Sequence, residues 1–195
     1  MRILFVGDIV GKGGRRAVTA WVPQLRTEYG CEFCIANGEN MAGGGGLSKR
    51  CLEELSHAEV DVFTSGDHVW DQRDFVTEIQ QQPTVLRPTN VHPEQPGRGH
   101  GVFTGTNGVP VAVINLLGRT FMNSLADCPF QAVDRILAQL QHKARIVVVD
   151  FHAEATSEKI AMGRYLDGRV SAVLGTHTHV ATADEDVFPG GTAFQ

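Results

Sequence analysis

Polar side chains that bind metal ions follow several apolar segments of this chain, at the point where each segment ends. The segments are ILFVGD, FCIANGEN, VFTSGDH, IVVVDFH and VSAVLGTHTH. Near-continuous Val, Ile and Leu runs are typical of buried parallel strands, and open α/β sheets bind ligands beyond the carboxyl ends of such strands. We therefore expect the polar residues to converge on one rim. They are Asp8, Glu39, Asn40, Asp67, His68, His152, His177 and His179.

Without His68, this set still offers more ligand atoms than one ion needs, and two ions suit it. Carboxylates favour hard cations and imidazole suits Zn, Fe and Ni, so a mixed set without thiolate indicates Fe, Mn, Zn or Co. We predict two metal ions, with iron as the choice and manganese or zinc as alternatives. A single His or Asp at such a position is more often a turn residue. The coincidence at five strand ends favours the metal site.

The motifs GDIVGK, NGEN, SGDHVWD, DFHAEATSEK and GTHTHV occur in this order over essentially the whole chain. In this combination the sequence resembles the YmdB-like branch of the calcineurin-type metallophosphoesterases. The resemblance implies a four-layer α/β fold, in which two mixed β-sheets pack face to face with helices outside. It also implies a metal-dependent phosphodiesterase that hydrolyses 2′,3′-cyclic nucleotides to 3′-nucleotides through a hydroxide bridging two metal ions.

The resemblance also implies a role for each candidate site residue. Glu39 would bridge the two ions, and His68 resembles the proton donor of the family. Asp67 stands where the family usually has Asn, and its added negative charge should bind metal at least as well but weaken Lewis acidity. The implied ligands are Asp8, Glu39, Asn40 and His179 for the first ion, and Glu39, Asp67, His152 and His177 for the second.

Other functions compete with this one. A phosphomonoesterase is the alternative among enzymes, and a regulatory metal-binding protein with little turnover is the alternative outside them. GDIVGKGG is one residue short of a phosphate-binding P-loop and has Gly13 where Ser or Thr must bind Mg²⁺. The pair Cys31 and Cys34 enters a strand instead of starting a helix, which argues against a redox enzyme.

Four further residues near the motifs have both a functional and a structural interpretation. Glu154 is either a partner for a ligand histidine or a charge at a helix start. Arg119 either pairs with a phosphate or lies on the surface. Trp70 and Phe121 either stack on a nucleobase or belong to the core. The glycines at 43–46 either let the backbone approach the substrate or metal shell, or give the loop flexibility.

Composition limits the class of protein. The chain has 195 residues, 42% of them hydrophobic and 20% charged, and a formal net charge of −5. We predict one domain over 1–195 with a small cyclic nucleotide as its partner, and leave open both a missing C-terminal segment and homo-oligomerisation. The charge argues against stable nucleic-acid binding. Without a signal peptide or an apolar span, we expect no membrane association and a cytoplasmic location.

The elements that must position the site alternate between strands and helices, which is typical of an α/β layer protein with a mixed sheet. Asn-Gly between two apolar runs predicts a hairpin near 106–108. The proline-rich stretch 83–101 predicts a long connection without helix. In the first helix the apolar positions are Ala17, Ala20, Trp21 and Leu25. The remaining predicted strands are 2–7, 32–36, 60–64, 145–150 and 170–174, and the helices after the first are 47–57 with Ser48 as its cap, 130–142 and 156–166.

Overall fold

The computed structural model describes every residue from Met1 to Gln195. The first of its two sheets has three strands in the order β1-β2-β3, and both pairings are parallel. A helix, α1, follows β1, and a short helix, α2, lies between β2 and β3. These elements are β1 (Ile3–Val6), α1 (Gly11–Tyr29), β2 (Phe33–Asn37), α2 (Lys49–Glu54) and β3 (Val62–Thr64).

The second sheet has six strands in the order β4-β5-β6-β7-β9-β8. Its strands β5, β6, β7 and β9 are parallel, while β4 and β8 pair antiparallel at the two edges. The expectation of two mixed sheets is therefore correct for this sheet and wrong for the first. The remaining elements are α3 (Phe75–Glu78), β4 (His100–Thr104), β5 (Pro110–Leu117), α4 (Pro129–Leu140), β6 (Ile146–His152), α5 (Thr156–Tyr165), β7 (Ala172–Thr176), β8 (Asp186–Val187) and β9 (Ala193–Phe194).

Alternate side chains of β2 belong to two separate hydrophobic clusters of the core. In β2, Phe33 and Ile35 join a cluster that also contains Val111 and Val113 of the second sheet. Cys34 of the same strand belongs to a different cluster, which includes residues of α1 and α2. Successive side chains of a strand point to opposite faces, so β2 is buried on both sides. This explains why its sequence is apolar without alternation.

Helix α1 lies where the sequence predicts it but buries a different face. Val18 and Val22 are in the core, whereas Trp21 is 59% exposed. Two arginines share the buried face: Arg15 donates to Glu54 at 2.6 Å and Arg26 to Asp61 at 2.7 Å. Because both partners are distant in sequence, the apolar periodicity could not indicate that these charged positions are internal.

Most other sequence-based elements are confirmed. The hairpin joins β4 to β5 with Gly108 at φ +79°, and Ser48 caps α2 by accepting a hydrogen bond from Cys51 N. Helix α2 is shorter than predicted and β7 ends two residues later than predicted, at Thr176. Residues 83–99 contain no helix. No helix of the protein combines the length and apolarity that crossing a membrane requires.

Candidate metal centre

The candidate ligands converge on one rim because the strands that precede them are parallel. Asp8 follows β1, Glu39 follows β2 and Asp67 follows β3 in the first sheet, and His152 ends β6 in the second. His177 directly follows β7, the neighbour of β6. Ligand atoms of these residues lie within 4.8 Å of one another in two groups. The groups are Glu39, Asp67, His152 and His177, and Asp8, Glu39 and His179.

The larger group is built around the buried ring of His152. Its Nε2 atom lies 3.1 Å from Glu39 Oε1 and 3.2 Å from Asp67 Oδ1. His177 Nδ1 lies 3.1 Å from the same Nε2 atom and 3.5 Å from Asp67 Oδ1. Two carboxylates and two ring nitrogens thus face a common point, and this is a donor set that suits a transition-metal ion.

The smaller group shares Glu39 with the larger one. His179 Nε2 lies 3.6 Å from Asp8 Oδ1, a buried oxygen with no hydrogen-bond partner. The Asn40 amide nitrogen lies 2.8 Å from Glu39 Oε1 and 3.2 Å from His179 Nε2. For Asn40 to act as a ligand, its carbonyl oxygen must take the place that its nitrogen occupies. A buried carboxylate oxygen without a partner is costly, so these residues fit a cation.

Backbone conformation places the two histidines that follow β7. His177 has φ +99° and His179 has φ +54°. Non-glycine residues in this left-handed region are uncommon, and such strained residues cluster at functional sites. The conformation turns two imidazoles, separated only by Thr178, towards two different groups of ligands.

Protonation equilibria in the metal-free protein show how strongly this rim attracts positive charge. Burial opposes ionisation of Glu39 and Asp67, but the His152 ring outweighs it, lowering the pKa of Glu39 and bringing the pKa of Asp67 to about 2. Burial likewise opposes a charged His152, yet hydrogen bonds to Asp67 and Glu39 raise its pKa to about 10. A protonated imidazole therefore offsets one of the two negative charges, at the place where a divalent metal ion would offset both.

His68 lies beside both groups and belongs to neither. Its Nδ1 atom is 2.7 Å from Asp71 Oδ2, and its backbone N–H donates to Glu39 Oε2 at 3.3 Å. The ring is 43% exposed, with Nε2 4.0 Å from Asp67 Oδ2. Burial lowers the pKa of His68, but the hydrogen bond to Asp71 and the nearby carboxylates outweigh it and raise the pKa. The protonated ring is thus favoured at an exposed position next to the candidate ligands.

Sequence reasoning missed three buried polar residues behind the ligands. They are Asn37, Asp150 and Thr176, each at most 4% exposed and each hydrogen-bonded to another of the three. A signal was present in the sequence, because Asn37 and Asp150 interrupt the apolar runs FCIAN and IVVVD. Both stand near the ends of apolar runs, and the sequence alone does not show which polar partners reach them.

The structure shows the surroundings of the four residues for which the sequence allowed both a functional and a structural interpretation. Glu154 Oε2 lies 3.1 Å from His177 Nε2, so it contacts the ring atom that faces away from the ligand group. Arg119 is exposed; its backbone N–H donates to Glu158, and its side chain makes no hydrogen bond or ion pair. Trp70 packs against the core, as the structural interpretation expects, whereas Phe121 is 84% exposed and not part of the core.

The glycine run 43–46 approaches a neighbouring turn and also contacts Asn40, because Gly44 N donates to Asn40 O at 3.2 Å. A Cβ atom at Gly45 would lie 2.9 Å from Asp71 Oδ2, and one at Gly46 would lie 2.9 Å from Gln72. Gln72 Nε2 also donates to Gly45 O at 2.8 Å. The run therefore accommodates the turn that carries His68 and Asp71.

A cleft of ≈ 660 Å³ opens beside the smaller ligand group. Asp8 and His179 form part of its wall, and Val10 and Val180 extend it across the surface. Both valines are substantially exposed. A small molecule can therefore reach the ligand groups from solvent.

Known proteins are similar to this chain in both sequence and fold. The family model described as YmdB-like protein matches residues 4–195. The chain is 47% identical over 194 residues to the 2′,3′-cyclic-nucleotide 2′-phosphodiesterase of Bacillus subtilis (strain 168), covering 100% of this chain and 73% of the relative. A hypothetical protein from Thermus thermophilus superposes with a TM-score of 0.91 at 45% identity, covering 100% and 75% of the two chains. A phosphatase from Mycoplasma pneumoniae gives a TM-score of 0.90 at 34% identity, covering 98% and 69%.

Proposed function

The chain belongs to the YmdB-like family, and from that premise we propose that it is a metal-dependent phosphodiesterase that hydrolyses 2′,3′-cyclic nucleotides to 3′-nucleotides. The observation that carries this proposal is the pair of ligand groups that share Glu39. Paired metal sites are typical of enzymes that displace an oxygen at phosphorus. The name of the Bacillus subtilis relative supplies the substrate class.

The proposed ligands follow the two groups. Glu39 would bridge, because its Oε1 lies near both Asn40 of the first site and His152 of the second. The mixed oxygen and nitrogen donors suit iron, manganese or zinc, and iron is the proposed choice. For the first ion the ligands are Asp8, Glu39, Asn40 and His179, and for the second they are Glu39, Asp67, His152 and His177.

When bound, two metal ions supply a water of lowered pKa as nucleophile and draw charge from the phosphoryl oxygens. The residues of the chain then have distinct tasks. His152 and His177 present one ring nitrogen each to the second site, while Glu154 holds the other nitrogen of His177. Asp8 presents the oxygen that has no other partner.

His68 is the proposed proton donor to the leaving 2′-oxygen. Its position outside both ligand groups leaves the ring free to approach substrate, and its raised pKa favours the protonated form. A positioned general acid contributes roughly 10²–10⁴-fold to rate. Asp71 holds Nδ1, so Nε2 is the atom that can reach the substrate.

The four-layer arrangement belongs to the same proposal. Its support is the cluster that joins residues of β2 and β3 to residues of β5 and β6, between the cluster next to α1 and α2 and the cluster next to α4 and α5. Two sheets in contact through such a cluster bring their carboxyl ends to one rim. That geometry allows ligands from both sheets to share Glu39.

The experiment that tests this function measures turnover of a 2′,3′-cyclic nucleotide by metal-loaded protein and identifies the product. Release of the 3′-nucleotide supports the proposal. Hydrolysis of phosphomonoesters alone would indicate the phosphomonoesterase alternative. Two bound ions without turnover of any phosphate ester would indicate the regulatory alternative. A chelator-treated sample is the control, and it should regain activity when metal is restored.

A further inference from the structure

A buried hydrogen-bonded chain runs behind the ligands of the second site. Asn37 and Asp150 are 0% exposed and Thr176 is 4% exposed. Asp150 belongs to neither ligand group. A carboxylate buried this deeply is costly unless its oxygens accept hydrogen bonds. The hydrogen-bond donors to Asp150, which are Asn37 and Thr176, therefore indicate which parts of the site this carboxylate holds in place.

One arm of the chain ends at the His152 ring. The Thr176 hydroxyl donates to Asp150 Oδ1 at 2.7 Å, and Thr176 Oγ1 lies 2.8 Å from His152 Nδ1. A hydroxyl has a single proton, so once that proton points to Asp150 the oxygen can only accept from the ring. His152 Nδ1 must then carry the hydrogen. Nε2, which faces Glu39 and Asp67, remains the atom available to a metal ion.

The other arm ends at the turn that carries Glu39. Asn37 Nδ2 donates to Asp150 Oδ2 at 3.0 Å, and Asn37 Oδ1 accepts from Glu39 N at 3.1 Å. The same Asn37 nitrogen is 3.4 Å from His152 Nδ1, which is a longer contact than that of Thr176. Since β2 is in the first sheet and β6 in the second, the chain joins two ligands across the two sheets.

We propose that Asp150 is a positioning residue for the metal centre, acting through Thr176 on the tautomer of His152 and through Asn37 on the turn that holds Glu39. This inference rests on the proposed metal ligation by His152 and Glu39. It adds roles for three residues that supply no ligand. Partners that hold the second nitrogen of a ligating histidine typically change metal affinity by about 10–100-fold.

The direction of the hydrogen bonds makes a carboxylate necessary at this position. An Asn at 150 would keep one acceptor and gain a donor. If its oxygen faced Asn37, its amide would donate to Thr176, and the hydroxyl would turn to His152 Nδ1. The ring proton would then move to Nε2 and compete with the ion. If the amide were reversed, its NH₂ would face the NH₂ of Asn37.

The test compares Asp150→Asn and Thr176→Val with Thr176→Ser, which keeps the hydroxyl and serves as the matched control. Zn²⁺ and Mn²⁺ affinities are measured by chelator competition, and imidazole tautomers are assigned by ¹⁵N NMR of the Zn-loaded proteins. We expect Thr176→Val to bind the second ion roughly 10–100-fold more weakly with the first unchanged, because Thr176 contacts the ring of His152. Asp150→Asn should weaken the second ion at least as much and the first ion as well, because Asn37 also holds the turn of the shared Glu39. The protected His152 Nδ1–H signal should persist in wild type and Thr176→Ser and disappear in Thr176→Val.

The outcomes separate this inference from the proposed function. If wild type binds two ions and both Asp150→Asn and Thr176→Val retain wild-type affinities, the inference is wrong and the function stands. Equal weakening at both sites in Thr176→Val, with a lowered Tm, would mean a purely structural role and would also overturn it. A wild-type protein that binds neither ion would overturn both. Should Asp150→Asn fail to fold, Thr176→Val decides, because it preserves volume and changes only the hydroxyl.

Discussion

The contact between His68 and Asp71 leads to a prediction that depends on the leaving group. Asp71 Oδ2 lies 2.7 Å from His68 Nδ1, and the two side chains are 43% and 47% exposed. Hydrogen bonds to charged groups contribute about 1.5–3 kcal/mol. Because both partners are partly solvated and screened, we reduce this to about 1–2 kcal/mol. Removal of the carboxylate in Asp71→Ala should lower the pKa of His68 and, at a pH above that pKa, where the protonated fraction limits the rate, lower kcat/KM by roughly 5–30-fold for a substrate that needs the proton.

The assay compares two substrates. Opening a 2′,3′-cyclic nucleotide expels a strongly basic ribose oxygen, which needs a proton, whereas bis-p-nitrophenyl phosphate expels a stable p-nitrophenolate, which does not. Asp71→Ala should slow the first reaction and leave the second almost unchanged. Asp71→Asn keeps an acceptor for His68 Nδ1 and should show an intermediate loss. His68→Ala should lower turnover of the cyclic nucleotide by roughly 10²-fold or more with metal content unchanged.

Two further variants of this region sharpen the prediction. Gly45→Ala should act in the same direction as Asp71→Ala, because its Cβ would lie 2.9 Å from Asp71 Oδ2. Asp74→Asn removes an exposed charge three residues further along without touching His68 and serves as the control. An equal loss on both substrates for Asp71→Ala, at unchanged metal content, would refute the reasoning. It would indicate that Asp71 supports the loop and not the acid.

Three other predictions concern the ligands. Glu39→Gln should lower metal content at both sites together by elemental analysis; loss of one ion with normal turnover would disprove bridging. Metal binding should expel the His152 proton, because hydrogen bonds to Asp67 and Glu39, opposed by burial, raise its pKa to about 10; affinity for the second ion should rise roughly tenfold per pH unit from ~7 towards 10. In the metal-free protein, protonation of His152 contributes stability that is fully present below pH ~6.5. This contribution should be lost as the pH rises through the pKa of His152 in the folded state, and thermal unfolding at several pH values measures the loss. Asp67→Asn should raise turnover and move the acidic limb of the pH–rate profile, which reports formation of the nucleophile, to lower pH; an unmoved limb at saturating metal would contradict this.

The strand-end rule explains why so much of the site could be predicted. Asp8, Glu39 and His152 each follow or end a parallel strand. The apolar runs that identify these strands in the sequence were therefore enough to place the three residues on one rim. The buried face of α1 could not be found in this way. Its arginines, Arg15 and Arg26, are internal only because Glu54 and Asp61 arrive from other elements. Side-chain partners of this kind depend on tertiary contacts that periodicity does not encode.

The hydrogen bonds among Asn37, Asp150 and Thr176 could not be predicted from the sequence for a similar reason. Asp150 was visible as a carboxylate in an apolar strand, but its two donors come from β2 and from the end of β7. Only the packing of one sheet against the other brings Asn37 to the carboxylate. The convergence of the candidate ligands can therefore be predicted from a single sequence, whereas the hydrogen bonds behind them require the packing of one sheet against the other.

Asp67 affects the total negative charge of the proposed metal ligands. Asp8, Glu39 and Asp67 are the carboxylates of the two groups, so replacing Asp67 by an amide would remove one of three negative charges. Asp67 also contacts both His152 and His177. An anionic oxygen binds a cation more tightly than an amide does, but it raises the pKa of water on that ion and so leaves less nucleophile near neutral pH. The proposed shell would therefore favour retention of the second ion over its acidity, and Asp67→Asn should exchange one for the other.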